Sequence, residues 1–191
     1  MPGVKEEDVD PRQHDHQQRT SGQALGMVLL VSGTLALLTV ATDQATKALM
    51  TRWIGPSSSD HRYDLLGTVL GFEFVRNTGV AFGLLQGRQW LVSILAIVVL
   101  AGFLLAFWRE LPSHRLLQVG VGLIVGGSVG NLVDRFRLGY VVDFIAVGEF
   151  PRFNIADSAI TVGLVFLCAF LVFEPGHHEE PDRSVNRMSP E

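Results

Sequence analysis

Two aspartates in the C-terminal half of the chain could form a catalytic carboxylate pair. Asp143 lies in "YVVDFI" and Asp157 lies in "FNIADS", directly before an uncharged apolar run at 158–173. A carboxylate beside a segment suited to lipid is costly and suggests a function. Two carboxylates that share one proton can hydrolyse a peptide bond, because one takes a proton from water while the other donates to the carbonyl. Such a pair needs no cofactor.

A third aspartate, Asp134, competes for a place in this pair. Arg135 follows it directly, so we expect an ion pair that makes Asp134 a poor proton shuttle. Asp143 lies between apolar residues, where partial desolvation raises the pKa of its carboxyl toward the working pH. We therefore favour Asp143 and Asp157. Asp157 could instead only cap the N-terminus of the following helix, although a cap does not explain Asp143.

Other catalytic classes have weaker support in the sequence. Ser128 and Ser158 have no histidine nearby, although Lys47 could serve one of them in a Ser–Lys pair. The single cysteine, Cys168, lies in the middle of an apolar run, and no histidine occurs in 115–176. We therefore predict no metal site. No basic run or aromatic–basic alternation indicates nucleic acid binding.

The elements that position these residues are predicted to be membrane helices. Of the 191 residues, 48% are hydrophobic and 18% are charged, and the charges crowd into the two ends of the chain and a few short stretches. A helix needs roughly 20 apolar residues to cross a bilayer. We predict four transmembrane helices at about 23–42, 89–108, 116–133 and 155–173. Residues 1–22 are predicted to be a disordered polar tail, and 174–191 a polar C-terminal tail.

The loop at 43–88 is too long to be a simple turn and should carry structure of its own. Phe72 and Phe74 alternate with Glu73 and Val75, as in a half-buried strand. "VAFGLLQGRQW" then predicts a short amphipathic helix leading into the second span. The predicted fold class is thus an all-α membrane protein with a small β-sheet and a short amphipathic helix in its outer loop.

Small residues in the third span predict close helix packing. Gly122, Gly126 and Gly130 recur every four residues and so share one helix face. Small residues on one face let a neighbouring backbone approach closely.

The polar residues near the membrane boundaries should gather on one side. With alternating helix directions, the ends of helices one and three and the starts of helices two and four face the same compartment. The residues concerned are Asp43, Lys47, Asn77, Asn131, Asp134, Arg135, Asp143, Asn154 and Asp157. The sequence therefore predicts one polar site at one membrane face.

Five motifs, in order, resemble those of lipoprotein signal peptidases, also called signal peptidase II. They are "DQATK", "RNTGVAFGLL", "GGSVGNLVDR", "GYVVDF" and "FNIADSAI", and the resemblance covers about 25–173. It implies a bacterial membrane aspartic endopeptidase that removes signal peptides from prolipoproteins, cutting before a cysteine that carries a diacylglyceryl group. The implied catalytic residues are Asp143 and Asp157. The implied supporting residues are Asp43, Lys47, Asn77, Asn131, Asp134, Arg135, Asn154 and Ala156.

The resemblance also implies a topology that charge counting leaves open. The tails and the 109–115 loop hold seven Lys and Arg residues and the other loops hold eight, so the positive-inside rule does not decide. Family topology places both termini in the cytoplasm and the site at the outer face of the inner membrane. The expected partners are lipid-modified prolipoproteins and membrane lipids, with no nucleic acid, and we expect a monomer.

Two alternatives remain open from the sequence. The chain could be a small proton-coupled carrier with an aspartate relay, although a carrier should have ionisable groups near mid-bilayer and an internal repeat. The segment from Asn77 to Gly87 could be a mobile cover over the site, since it holds three glycines, or a fixed interfacial helix.

Overall fold

The computed structural model describes residues 11–58, 62–79, 88–112 and 114–173. Its helices are α1 (Pro11–Ile54), α2 (Gln89–Phe107), α3 (Arg115–Leu138) and α4 (Ile155–Phe173). Its strands are β1 (Arg62–Leu66), β2 (Leu70–Asn77) and β3 (Val141–Val147). Within this part of the chain, four helices are long and apolar enough to cross a membrane. The predicted fold class is confirmed, except that the short amphipathic helix and most of the proposed cover, 80–87, lie outside the described residues.

The first helix is longer at both ends than the predicted span of 23–42. It begins at Pro11, so the predicted disorder of 1–22 is wrong for 11–22; residues 1–10 lie outside the described part, as does the C-terminal tail. Proline at the first helical position has no N–H to leave unsatisfied. At the other end the helix continues through Asp43 and Lys47, which lie one turn apart and form an ion pair at 2.8 Å. Because each charge neutralises the other, α1 continues past both residues to Ile54.

The third helix continues beyond the predicted end at 133. It runs to Leu138 and stops at Gly139, whose φ of 77° is left-handed and whose N–H donates to the carbonyl of Arg135 at 3.1 Å. A glycine in this conformation is a common helix terminator. The extension carries Asp134 and Arg135 inside the helix instead of in a loop.

Glycines on two faces of α3 let it pack between α1 and α4. A Cβ atom added at Gly122 would lie 2.9 Å from the Cβ of Leu35, and one at Gly126 would lie 2.6 Å from the Cβ of Thr39. Both partners belong to α1. On the other face, Gly120 packs against Gly163 of α4. The prediction of close packing through small residues is confirmed for Gly122 and Gly126.

A three-stranded antiparallel sheet, in the order β1-β2-β3, lies against the C-terminal end of α1. The predicted strand around Phe72 is confirmed as β2, but β3 was not predicted. Its first four residues are all buried, so it lacks the alternation that identifies a half-exposed strand. Val142 and Phe144 of β3 pack with Met50 and Ile54 of α1. Asp143 lies between Val142 and Phe144 in the strand, so this contact places Asp143 near the C-terminal end of α1.

Candidate active site

The two favoured aspartates come from different elements and meet at Asn154. Asp143 lies in β3, where it pairs with Val75 of β2, and Asp157 lies in the first turn of α4. The side-chain amide of Asn154 donates to Oδ1 of Asp143 at 2.7 Å. The backbone N–H of Asn154 donates to Oδ2 of Asp157 at 3.2 Å. Asn154 is fully buried, so a single residue sets the relative position of both carboxylates.

Asn154 and Asp157 also cap α4 reciprocally. The backbone N–H of Asp157 donates to Oδ1 of Asn154 at 2.9 Å, in return for the bond that Asp157 accepts from the backbone of Asn154. This exchange is a capping box with asparagine at the cap and aspartate three residues later. The capping role considered for Asp157 is therefore present. It occupies one oxygen of Asp157 and leaves the other for a different partner.

Two further asparagines hold the outer oxygens of the pair. Asn77, at the end of β2, donates its amide to Oδ2 of Asp143 at 2.9 Å. Asn131 of α3 donates its amide to Oδ1 of Asp157 at 2.7 Å. Each carboxylate thus accepts two hydrogen bonds in a fixed geometry, which is what preorganised proton transfer requires.

Behind Asn131 lies a buried cluster of charges centred on Lys47. Its ammonium group lies 2.8 Å from Oδ2 of Asp43 and 3.0 Å from Oδ2 of Asp134. It also donates to Oδ1 of Asn131 at 3.0 Å. Buried charges are tolerated when they are paired and hydrogen-bonded, as these are. The cluster therefore fixes Asn131, and through it Asp157.

The predicted ion pair between Asp134 and Arg135 is wrong. Consecutive residues of a helix point in directions about 100° apart, so their side chains do not face each other. Asp134 points to Lys47 and accepts the backbone N–H of Val142 at 3.1 Å. Arg135 points away from Lys47 and toward Gly79, whose carbonyl lies 3.4 Å from its guanidinium.

Asp43 and Ala156 meet at the start of α4. The backbone N–H of Ala156 donates to Oδ1 of Asp43 at 3.0 Å, which satisfies a helix N-terminal donor and places a negative charge at the positive end of the helix. Ala156 is fully buried. A Cβ added at Gly130 would lie 2.6 Å from Oδ2 of Asp43 and 3.4 Å from the Cβ of Ala156, so the site admits only small residues there.

Gln44 also belongs to this network and was missing from the predicted set. Its side-chain amide nitrogen lies 3.0 Å from Oδ1 of Asp134, 3.2 Å from the carbonyl of Gly130 and 3.2 Å from Oδ2 of Asp43. Its side-chain oxygen accepts from Arg137 at 3.4 Å. The sequence did carry a signal for Gln44, since it is a polar residue directly beside Asp43 in a predicted polar site.

A cavity of about 860 Å³ opens beside the aspartate pair. Asp143, Asp157, Asn77 and Arg135 line it, whereas the Lys47 cluster lies behind its wall. Its other side is largely apolar and is formed by residues of the 148–153 connection and of α4. These include Phe150, Phe153, Ile160 and Val162. The carboxylates therefore face a space large enough for a peptide segment.

The environment of Asp143 favours a shared proton. The pKa of Asp143 is raised to about 7, first by burial and then by the nearby charge of Asp157. Hydrogen bonds from Asn77 and Asn154 and the charge of Lys47 oppose that rise. A carboxyl with a pKa near neutrality can hold a proton at working pH and give it to a reacting group.

Within the described residues, no group of three His, Cys, Asp or Glu side chains is arranged to hold a metal ion. The absence of a metal requirement stays a prediction.

Known proteins resemble this chain over most of its length. The sequence model of the family described as signal peptidase (SPase) II matches residues 35–173. A lipoprotein signal peptidase of Geobacillus thermodenitrificans (strain NG80-2) is 41% identical over 143 residues, covering 73% of this chain and 88% of that protein. One from Dehalococcoides mccartyi (strain ATCC BAA-2100) is 38% identical over 165 residues, covering 84% and 98%.

Solved structures agree with the sequence relatives. A bacterial membrane enzyme determined by the in meso method at 2.3 Å resolution has a TM-score of 0.68 and 30% identity, covering 78% of this chain and 92% of that one. A second, at 1.9 Å resolution, has a TM-score of 0.61 and 31% identity, covering 74% and 92%. Since the family model spans more than half of the residues and the polar motifs meet in one site, the chain belongs to the signal peptidase II family of membrane peptidases.

Proposed function

We propose that this chain is an aspartic endopeptidase that removes signal peptides from prolipoproteins, cutting before a cysteine modified with diacylglyceryl. Membership of the family and the names of its relatives support signal peptide removal. One observation carries the aspartic mechanism: Asp143 and Asp157 are bridged by Asn154 and line the same cavity. The relatives described above carry the name lipoprotein signal peptidase, which favours a peptidase over the carrier alternative.

In the proposed mechanism the pair begins with one proton, held by Asp143. Asp157 takes a proton from a water molecule, whose oxygen attacks the scissile carbonyl carbon while Asp143 gives its proton to the carbonyl oxygen. The product of this step is a neutral diol. Asp157 then gives its proton to the amide nitrogen, the C–N bond breaks, and Asp143 takes a proton from one hydroxyl. The products are a carboxylic acid and an amine, and the pair regains its starting protonation.

The supporting residues hold this geometry in place. Asn77, Asn131 and Asn154 orient the carboxylates by hydrogen bonds. Lys47 anchors Asn131 from behind. Arg135 faces the cavity, where its guanidinium can donate to a backbone carbonyl of a bound peptide.

The position of the site fits a substrate embedded in a membrane. The aspartate pair lies where α1 and α3 end and α4 begins, so water can reach it from one side and lipid from the other. We propose the outer face of the bacterial inner membrane, with both termini in the cytoplasm, a monomeric enzyme and no cofactor. Its partners would be lipidated prolipoproteins and the surrounding lipids.

The decisive experiment is cleavage of a diacylglyceryl-modified precursor by purified protein in nanodiscs. Asp143→Asn and Asp157→Asn should each lower the rate at least about 100-fold, because each removes one proton-transfer group. The Asp157 variant keeps an oxygen that can accept the capping N–H, so α4 should remain folded by circular dichroism.

Two controls accompany this experiment. Asp64→Asn changes an exposed carboxylate on β1 and should cleave at the wild-type rate. An unmodified precursor should be a poor substrate for the wild-type protein. Undiminished cleavage by either dyad variant would exclude that residue from the pair, and activity lost to chelator and restored by zinc would exclude a carboxylate-only mechanism.

A further inference from the structure

We propose that Arg152, held by Glu73, is a positioning residue that shapes the cavity wall and thereby sets substrate binding. This inference rests on the proposed peptidase function. Neither residue belongs to the polar set that the sequence motifs single out, and neither touches the aspartate pair. Glu73 lies on β2 and Arg152 lies at the far end of the loop 148–153, which joins β3 to Asn154.

The guanidinium of Arg152 makes four contacts at once. Its Nε and Nη2 lie 2.8 Å and 2.7 Å from Oε2 of Glu73. Its Nη1 donates to the carbonyls of Gly148 at 3.2 Å and Phe150 at 2.9 Å. Arginine presents several donors in a rigid plane, so one side chain can close the loop on itself and also tie it to the sheet.

Both ends of the 148–153 loop have backbone hydrogen bonds that do not involve Arg152. At its start, Gly148 has a left-handed φ of 45° and donates its N–H to the carbonyl of Val69 at 2.8 Å. At its end, the carbonyl of Phe153 accepts the N–H of Ile145 at 2.8 Å. Between these points, the chain turns through a bond from Phe150 N–H to the carbonyl of Val147 at 2.9 Å. Arg152 therefore controls mainly the middle of the loop.

The middle of the loop forms part of the cavity wall. Phe150, Pro151, Arg152 and Phe153 all line the cavity. Phe150 is 60% exposed, and its ring packs edge-on against that of Phe153, with centroids 6.0 Å apart. A wall that is apolar and largely open needs a fixed backbone to present one shape to a peptide. The carbonyl of Phe150, bonded to Arg152, supplies that restraint.

Loss of this restraint should affect binding more than chemistry. Asn154 follows the loop directly, but its side chain is also bonded to Asn131 at 3.1 Å and to the carbonyl of Val142 at 3.3 Å. The aspartate pair should therefore keep its geometry when the loop loosens. An interaction that serves only to hold the bound substrate appears in KM and leaves kcat nearly unchanged.

The test is a double-mutant cycle on Glu73→Ala and Arg152→Met, assayed with the lipidated precursor in nanodiscs. Methionine keeps the apolar stem and removes the donors. Each single variant should raise KM about threefold to tenfold with kcat within about twofold, the range expected for a partly buried ion pair with two further hydrogen bonds. The double variant should be no worse than Arg152→Met alone, because both changes break the same contact.

A matched control is Arg62→Met. Arg62 also reaches Oε2 of Glu73, at 3.4 Å, but does not line the cavity, so its loss should leave KM unchanged. Arg152→Lys keeps the charge but not the planar fork and should give an intermediate KM. If Arg152→Met does not fold, Arg152→Lys and Glu73→Ala together test the proposal.

Hydrogen exchange of the 148–153 peptide gives a readout that does not depend on catalysis. Exchange should be faster in both single variants and unchanged in Arg62→Met. If the wild-type protein cleaves no lipidated precursor, the proposed function fails, and this comparison still decides the role of Arg152. A raised KM in Arg152→Met with wild-type KM and exchange in Glu73→Ala would overturn the proposal, since Arg152 would then contact substrate directly.

Discussion

At the scale of single residues, the two aspartates of the site differ in their surroundings. Within the described part of the chain, Asp143 on its strand accepts hydrogen bonds from two side-chain amides, whereas Asp157 also accepts a backbone N–H at a helix start. Asn154 serves both carboxylates, since its side-chain amide donates to Asp143 and its backbone N–H donates to Asp157. The orientation of each carboxylate is thus set by hydrogen-bond donors that carry no charge.

Raising the pH should reduce activity with a midpoint near 7. The pKa of Asp143 is raised to about 7 by burial and by the charge of Asp157, so its proton is lost above that pH. The proposed mechanism needs that proton for the carbonyl oxygen. A pH profile of kcat/KM, measured between pH 5 and about 9, should therefore fall on its alkaline side. A flat profile across that range would contradict the assignment of the proton to Asp143.

The same pKa should appear in stability. The folded state holds the proton of Asp143 up to about pH 7, whereas the unfolded chain releases it near 3.8. Between these values the native state binds more protons, so the contribution of Asp143 to stability is fully present below 3.8 and is lost as pH rises through about 7. Asp143→Asn should flatten this part of the curve of unfolding midpoint against pH. An unchanged slope, with Asp64→Asn as control, would contradict it.

Lys47 should matter more for folding than any other cation described in the site. Lys47→Met leaves Asp43 and Asp134 buried without their cation, which should destabilise the protein by about 3–5 kcal/mol. Thermal unfolding in detergent measures this. Arg62→Met, in an exposed ion pair, is the control and should barely shift the midpoint. Equal effects of the two substitutions would show that the Lys47 cluster is not a stabilising centre.

At the scale of elements, the glycines of α3 set the distance between helices. Gly126→Ala should destabilise the protein by about 1–3 kcal/mol, because the new Cβ would lie 2.6 Å from that of Thr39 and 2.7 Å from the carbonyl of Ala36. Gly102→Ala on α2 is the matched control, since nothing lies within 4 Å of its added Cβ. Unfolding midpoints should separate the two variants. A tolerated alanine at 126 would mean that α1 moves freely away from α3.

The sequence predicted the helices more reliably than the strands or the pairing of charges. Uncharged runs indicate where lipid can cover a helix, but the first run ends before Asp43. Whether the helix continues depends on the partners of that charge, which are Lys47 one turn later and, through Lys47, Asp134 of α3. Strand β3 has buried residues on both faces and so lacks an alternating pattern. The pairing of Lys47 with Asp134 depends on how α1 crosses α3, which no local pattern records.

The candidate site was predictable for a different reason. Polar residues are costly near lipid, so each one at a helix end is informative on its own, and alternating helix directions place them on one side. The sequence does not predict the roles of Gln44 and Arg152, because a glutamine next to charged residues and an arginine in a loop are both common on protein surfaces. Their contacts became visible only in three dimensions.

At the scale of the whole molecule, the two ends of the bundle differ. One end carries the sheet and the polar site, and the other carries the short turn between α2 and α3. That turn is held by Gln118, which is buried and donates to the carbonyls of Leu111 at 3.1 Å and Pro112 at 3.4 Å. In the described chain, the polar groups that could do chemistry are therefore concentrated at one end of the helix bundle.

Orientation can be tested by labelling each face in intact cells. In a Cys168→Ala background, Thr68→Cys places a thiol in the β1–β2 turn and Glu110→Cys places one in the α2–α3 turn. An impermeant maleimide should label the first in spheroplasts, because that turn is proposed to face outward. The second should react only after the membrane is permeabilised. The reverse pattern would invert the proposed topology.

The capping box at the start of α4 has a consequence for biosynthesis. Asn154 caps α4 and Asp157 lies in its first turn, and α4 is the last membrane helix of the described chain. The rest of the site is contributed by segments made earlier. A ribosome-bound chain that has inserted only its first three spans holds Asp143 without Asn154, one of the two asparagines that orient it, and without its partner Asp157. We therefore expect the nascent protein to stay inert toward other membrane proteins until its last helix is released and inserted.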